Sequence, residues 1–176
     1  MGNPRLGFRS QLKSNFSLDF SIVLPNVSRD DDLFPAVNGF YTRYDEIEMF
    51  MPEITSISID GLVNFSKINV IQPFIKLGMI GWKIEQESND SEYDLISKYS
   101  IGFNVNQSNF LFTAKLKGLA IITEPDLDFG ERNLNSFVFA FKLKSKLAPG
   151  FYILAPLDDQ RDIVKYTIGM GISARY

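Results

Sequence analysis

Apolar and polar residues alternate with period 2 along nine segments of this chain, the spacing that sends successive side chains to opposite faces of a strand. In residues 163–176, Val164, Tyr166, Ile168, Met170, Ile172, Ala174 and Tyr176 share one face, and Lys165, Thr167, Gly169, Gly171, Ser173 and Arg175 share the other. Residues 109–122 set Phe110, Phe112, Ala114, Leu116, Gly118 and Ala120 against Asn109, Leu111, Thr113, Lys115 and Lys117. The same reading sets Phe137, Phe139, Phe141 and Leu143 against Val138, Ala140, Lys142 and Lys144, and Tyr99, Ile101, Phe103 and Val105 against Lys98, Ser100, Gly102 and Asn104. Phe16, Leu18, Phe20, Ile22 and Leu24 oppose Ser17, Asp19 and Ser21; Leu6, Phe8 and Leu12 oppose Arg5, Arg9 and Gln11; and Ile57, Ile59, Val63 and Phe65 oppose Ser58, Asp60 and Asn64. Two segments are less regular. Residues 71–85 alternate through Ile75, Leu77 and Met79 and then blur at Ile80 and Trp82, and residues 150–157 are apolar on both faces and carry Pro156. The pattern predicts an all-β, antiparallel up-and-down barrel of eight to ten strands, nine of them visible, in a single domain over residues 1–176.

Alternation leaves open which face points outward. A soluble ligand-binding barrel turns its apolar face inward, and a transmembrane barrel turns it toward lipid. Three features favour the second arrangement. The segments reach the ~10 residues a tilted strand needs to cross a bilayer. The polar face mixes Lys and Arg with Gly, Ser and Asn, as a crowded polar interior would. Connections alternate between short ones, at 13–15, 67–69, 106–108 and 146–149, and long ones, at 26–53, 86–94 and 123–133, as expected when tight turns gather at one end. No stretch approaches the ~18 consecutive apolar residues of a membrane-spanning helix.

Charge sharpens this picture. The net charge of −3 conceals a segregation: all but Asp19 and Asp60 of the 21 acidic residues lie in or beside the long connections and residues 158–162. Of the 18 basic residues, only Arg29, Arg43, Arg132 and Arg161 lie there. The lumen-facing charged residues are expected to be Arg5, Arg9, Asp19, Asp60, Lys76, Lys98, Lys115, Lys117, Lys142, Lys144, Lys165 and Arg175. With two carboxylates among so many cations such a lumen has to be wet, filled with anions, met by inward-folded acidic loops, or completed by a further strand. The acidic rim suits divalent cations that bridge lipopolysaccharide phosphates, although no dedicated metal site is expected.

The absence of Cys and His removes disulfides, thiolate chemistry, His-ligated zinc and a Ser-His-Asp triad. No carboxylate pair or Ser–Lys arrangement takes their place, so a non-enzymatic protein without cofactor is expected. The Met1-Gly2-Asn3-Pro4 start lacks the charged and apolar runs of a signal peptide. For an exported chain this implies that processed or recombinant material begins here.

The stretches Arg5–Leu18, Pro73–Trp82 and Tyr99–Phe112 resemble the Gly-aromatic strands and short turns of the outer-membrane protein A-like superfamily, which includes opacity-type small barrels. The ending Ser173-Ala-Arg-Tyr176 is similar to the terminal aromatic strand read by the outer-membrane insertion machinery. The resemblance covers nearly the whole chain, through motifs any small barrel produces. It implies the outer membrane of Gram-negative bacteria, with lipid and lipopolysaccharide as surroundings. One departure concerns strand parity. Nine strands that begin and end in the same direction break the even-number rule, so either an upstream strand makes ten or one segment is not a barrel strand and eight remain.

Function is then expected to be structural or surface-interacting, through acidic extracellular loops and without nucleic acid. Phe40, Tyr41, Tyr44, Met49, Phe50 and Met51 form the surface-loop binding candidate for an extracellular partner. The alternative is a porin-like narrow channel for small anionic solutes through the basic lumen, although barrels this small are usually filled by their own side chains. Trp82 and Tyr176 are the expected interfacial aromatics.

Overall fold

An extended segment has no internal partners for its backbone N–H and C=O groups, so each strand must find them on a neighbour. The computed structural model describes residues 3–26, 49–85, 91–123, 133–158, 162 and 164–174. Within them nine strands form one antiparallel sheet: β1 (Arg5–Lys13), β2 (Phe16–Val23), β3 (Ile54–Asn64), β4 (Ile71–Glu85), β5 (Ser91–Asn106), β6 (Phe110–Ile121), β7 (Asn133–Leu143), β8 (Leu147–Pro156) and β9 (Thr167–Ala174). Their order in the sheet is their order in the chain. Both irregular segments, β4 and β8, are full strands paired on each side.

Pairing holds one register along each ladder, with a single shift between Gln11 and Lys13 in β1. A slip of one residue would turn a strand's apolar set to the other face, so this constancy keeps the two faces separate across all nine strands. Local chemistry closes the short ends. Asn69 adopts φ 56°, a left-handed conformation that Asn tolerates better than most residues. The Ile68 and Ile71 backbones exchange both hydrogen bonds around that turn, at 2.9 and 3.0 Å. The neighbouring turns are tied together as well: the Lys144 amide donates to the Asn109 carbonyl at 2.8 Å, and its ammonium donates to Asn106 and to the Gln107 carbonyl.

The two faces are buried in the reverse of the usual sense. One face carries Leu6, Phe8, Ile57, Leu77, Ile101, Ile168 and Met170, all exposed, the last at 87 %. The other buries Ser17, Ser56, Ser58, Asp60, Ser100, Lys117 and Ser136. No second layer lies among the described residues to cover that polar face, so the sheet covers it by curling. Arg5 of β1 and Lys115 and Lys117 of β6 line one cavity, although strands five places apart in a flat sheet would lie about 24 Å from each other. The polar face is therefore concave. Within the described residues β1 and β9 are the two sheet edges, and, as first and last of an odd antiparallel series, they run in the same direction.

Glycine serves this curvature at points of close approach. A Cβ on Gly102 would stand 2.3 Å from the Ala114 carbonyl oxygen and 2.6 Å from the Lys115 Cβ, so only Gly lets β5 and β6 meet there.

Candidate functional site

The concave face divides into an apolar part and a charged part. Ile80, Ile96, Leu119, Val138 and Leu154 form a buried cluster, one residue from each of β4 to β8, with Trp82, Ile121, Leu134 and Tyr152 packed against it. On β4, β5 and β6 these residues lie nearer the long connections than the cations of the same strands. This cluster is what blurs the alternation of β4 and β8, because their inward positions are apolar too. The expected polar lumen is thus corrected: its long-connection side is a small hydrophobic core. Trp82 belongs to that core, and its indole Nε1 donates to Asp94 Oδ2 at 2.9 Å, so it is not one of the outward-facing aromatics. Leu154, 1 % exposed, tests the packing. Leu154→Ala is expected to lower stability by about 2–5 kcal/mol, as Leu→Ala changes in closed cores do, read by urea unfolding of the folded chain. A loss below about 1 kcal/mol would mean that the cluster is loose.

Toward the short turns the concave face becomes charged. Asp60, 2 % exposed, projects from β3 with Oδ2 3.2 Å from Lys76 Nζ and Oδ1 3.6 Å from Lys98 Nζ. Gly78 makes room for this carboxylate, since a Cβ there would fall 1.9 Å from Asp60 Oδ1. Asp60, Lys76 and Lys98 line a cavity of about 100 Å³ together with Arg5, Lys115 and Lys117. Arg5 reaches back through Ser21 at 3.0 Å, whose hydroxyl meets that of Ser58 at 2.7 Å.

Six of the twelve expected lumen charges therefore meet around one space. The others are dispersed. Arg9 and Asp19 form a separate two-point pair near the sheet edge, Nη2 to Oδ2 at 2.8 Å, with Arg9 largely exposed. Lys142 is half-buried and opposite Leu111 and Gly150. Lys144 is exposed and belongs to the turn network rather than the lumen, and Lys165 is exposed two residues ahead of β9. Arg175 and Tyr176 lie outside the described residues, as do Phe40, Tyr41 and Tyr44 of the surface-loop candidate.

Met49, Phe50 and Met51 are half-buried at the end of that long connection. Asn3 holds them: its amide donates to the Met49 carbonyl at 2.8 Å, and its side-chain Nδ2 donates to the Met51 carbonyl at 2.7 Å. Its Oδ1 accepts from the Asn26 amide at 2.8 Å, so one buried Asn joins both ends of the connection. Two acids near the long connections also have structural partners. Asp94 accepts from Trp82 and, at 2.7 Å, from Thr123, and Asp158 accepts from the Asn135 amide.

The outward face carries an aromatic band that strand-by-strand reading does not reveal. Phe110 and Phe141 stack at 5.5 Å, Phe141 and Phe151 at 5.6 Å, and Phe103 tilts against Phe112 at 6.4 Å. Register places them at one level across β5 to β8, toward the short turns, while exposed Tyr93 and Tyr166 stand toward the long connections. Only the spacing of Phe relative to the turns carried this signal in the sequence. Comparison with protein-family models, curated proteins and solved structures gives no match for the chain.

Proposed function

We propose that this protein is an integral β-barrel of a bacterial outer membrane, with a non-enzymatic, structural and surface-interacting role carried by its acidic long connections. The inverted burial carries this reading. A broad convex surface of exposed Leu, Ile, Phe and Met far exceeds the apolar patches that soluble monomers tolerate, and the face it encloses buries Ser17, Ser58, Asp60, Ser100 and Lys117 beside its small apolar cluster. Lipid is the solvent in which that arrangement is favourable. Dimensions agree: from Tyr93 to Val105 the convex side of β5 spans about 41 Å at ~3.4 Å per residue. At a barrel-like tilt of about 40° that projects to about 30 Å, the thickness of a bilayer core. Phe toward the short turns and Tyr toward the long connections suit its two boundaries.

Closure follows from the same reasoning, because an open edge in lipid leaves backbone groups without partners. The β1 and β9 edges run in the same direction, so a tenth strand antiparallel to both is the closure we favour. The conduit reading is weaker, since the Ile80–Leu154 cluster occupies the concave side next to the long connections.

Carbonate washing of bacterial membranes is expected to leave the protein in the outer-membrane pellet, with release only by detergent. Release by carbonate alone would sink the proposal. Because Asn26 and Met49 both bond to Asn3, residues 27–48 should be replaceable by a short Gly-Ser link that leaves the sheet folded. Surface binding should then disappear, whereas binding that persists would remove the loop from the proposal.

A further inference from the structure

We infer that the short-turn end of the sheet is a docking surface for anionic phospholipid headgroups, which the protein gathers in the leaflet that meets those turns. The four short turns, at 14–15, 65–70, 107–109 and 144–146, all lie within the described residues. A lysine stands at each. Lys13 ends β1, Lys67 and Lys146 stand in their own turns, and Lys144 reaches across to the 107–109 turn, where its ammonium donates to Asn106 Oδ1 and to the Gln107 carbonyl. Both acceptors are neutral, and all four lysines are exposed. Among the described residues none of the four forms an ion pair. Residues 61–84, 95–123 and 132–157 contain no Asp or Glu, and the two strand acids, Asp19 and Asp60, are held by Arg9 and by Lys76 and Lys98.

Sheet order puts successive short turns two strands apart, about 10 Å at ~4.8 Å per strand. That is about one Debye length in 0.1 M salt, so the fields of neighbouring lysines overlap. A lysine close to a membrane surface favours anionic lipid about fivefold. The surroundings of these lysines select a lipid surface over an acidic soluble partner. Leu12, Phe65, Ile68, Val70, Leu143 and Leu147 stand beside them, all exposed, and continue the Phe band of the convex face at the same end. A lysine there lays its aliphatic stem along apolar surface and lifts its ammonium to the level of the phosphates. The opposite end of the sheet carries Glu53, Glu92, Asp94, Asp158 and Asp162, so anionic lipid is drawn to one end alone. The inference rests on the membrane placement proposed above, and adds to it a lipid class and a leaflet.

The test is position-resolved fluorescence quenching of the full chain in phosphatidylcholine vesicles. Cys is absent from the chain, so Ser66→Cys places one neutral fluorophore on the exposed turn beside Lys67, and Tyr166→Cys places it toward the opposite end. Each labelled protein is reconstituted with a small fraction of nitroxide-bearing lipid, phosphatidylglycerol in one arm and phosphatidylcholine in the other. At Ser66→Cys the anionic quencher is expected to act as though enriched about fivefold, and at Tyr166→Cys to show no enrichment. Replacing Lys13, Lys67, Lys144 and Lys146 by Gln should abolish the enrichment, as should about 1 M NaCl, where the Debye length is about 3 Å. Lys165→Gln, on the long-connection side, should leave it in place. If the fourfold variant does not insert, the variant that retains Lys144 and its bonds between turns is read instead, and should keep only the smaller part of the enrichment. Equal quenching by the two lipids at Ser66→Cys overturns the inference and leaves the membrane reading intact, with solvent or an acidic protein as what those lysines meet. Enrichment that survives loss of the lysines overturns it as well. Quenching by neither lipid at either position would show that no bilayer surrounds the sheet, and the membrane reading and this inference would fall together.

Discussion

Phe139→Arg is expected to destabilise the protein by about 2–4 kcal/mol in phospholipid vesicles, the cost of a cation at mid-depth on the lipid face of a barrel. Phe139 is 45 % exposed on the convex face, with Ala114 and Ile153 as cross-strand neighbours. In a water-soluble sheet a position so open would tolerate the change to within about 0.5 kcal/mol. One substitution thus separates the two meanings of the apolar surface. The readout is urea unfolding followed by fluorescence of Trp82, the sole Trp, which packs against the inward cluster. The same change at Leu12, exposed one residue from the end of β1, should cost about 0–1 kcal/mol, because the penalty fades toward the membrane boundary. Equal, small effects at both positions would show that no hydrocarbon surrounds the sheet.

Asp60→Asn carries the second large effect, an expected loss of about 3 kcal/mol in anion-free buffer. Removing one partner of a buried ion pair leaves the other charge uncompensated, at a cost of about 3–5 kcal/mol. Lys76 is 38 % exposed and contributes less, whereas Lys98 at 12 % has little solvent to replace the carboxylate. That places the expected value at the lower end of the range. Lys98→Met in the Asp60→Asn background should restore part of the loss, since it removes the charge left behind, and a coupling of about 0.5–3 kcal/mol is expected for groups in contact. Additive effects, measured by the same urea unfolding, would show that the two residues act independently and that water solvates each of them.

Nine strand segments, their antiparallel order and most of the division into two faces were legible in the chain, though not whether the full barrel has eight or ten strands, because a side-chain period of two survives only where each face meets one environment throughout. The alternation placed Leu6, Phe8, Ile101, Phe139 and Ile168 together on one face, and the sheet keeps them there. It could not place Ile80 and Trp82, whose inward neighbours are apolar, since a binary pattern is silent where both faces are hydrophobic. Among the candidate residues, the pattern named the concave-face charges individually but not their company. Which cations share a cavity depends on stagger between strands distant in the chain, as Arg5, Asp60, Lys98 and Lys117 demonstrate. Asn3 carried no motif at all, and its role emerges only when Asn26, Met49 and Met51 are brought beside it.

Local alternation and turn chemistry, both short-range properties, sufficed to mark nine strand segments, the faces of the regularly alternating ones and the tight turns such as the one at Asn69. Curvature, the hydrophobic core next to the long connections and the gathering of five cations around one carboxylate needed the folded sheet. Those features depend on which residues face each other across the concave side, a relation between strands far apart in the chain that no local pattern encodes.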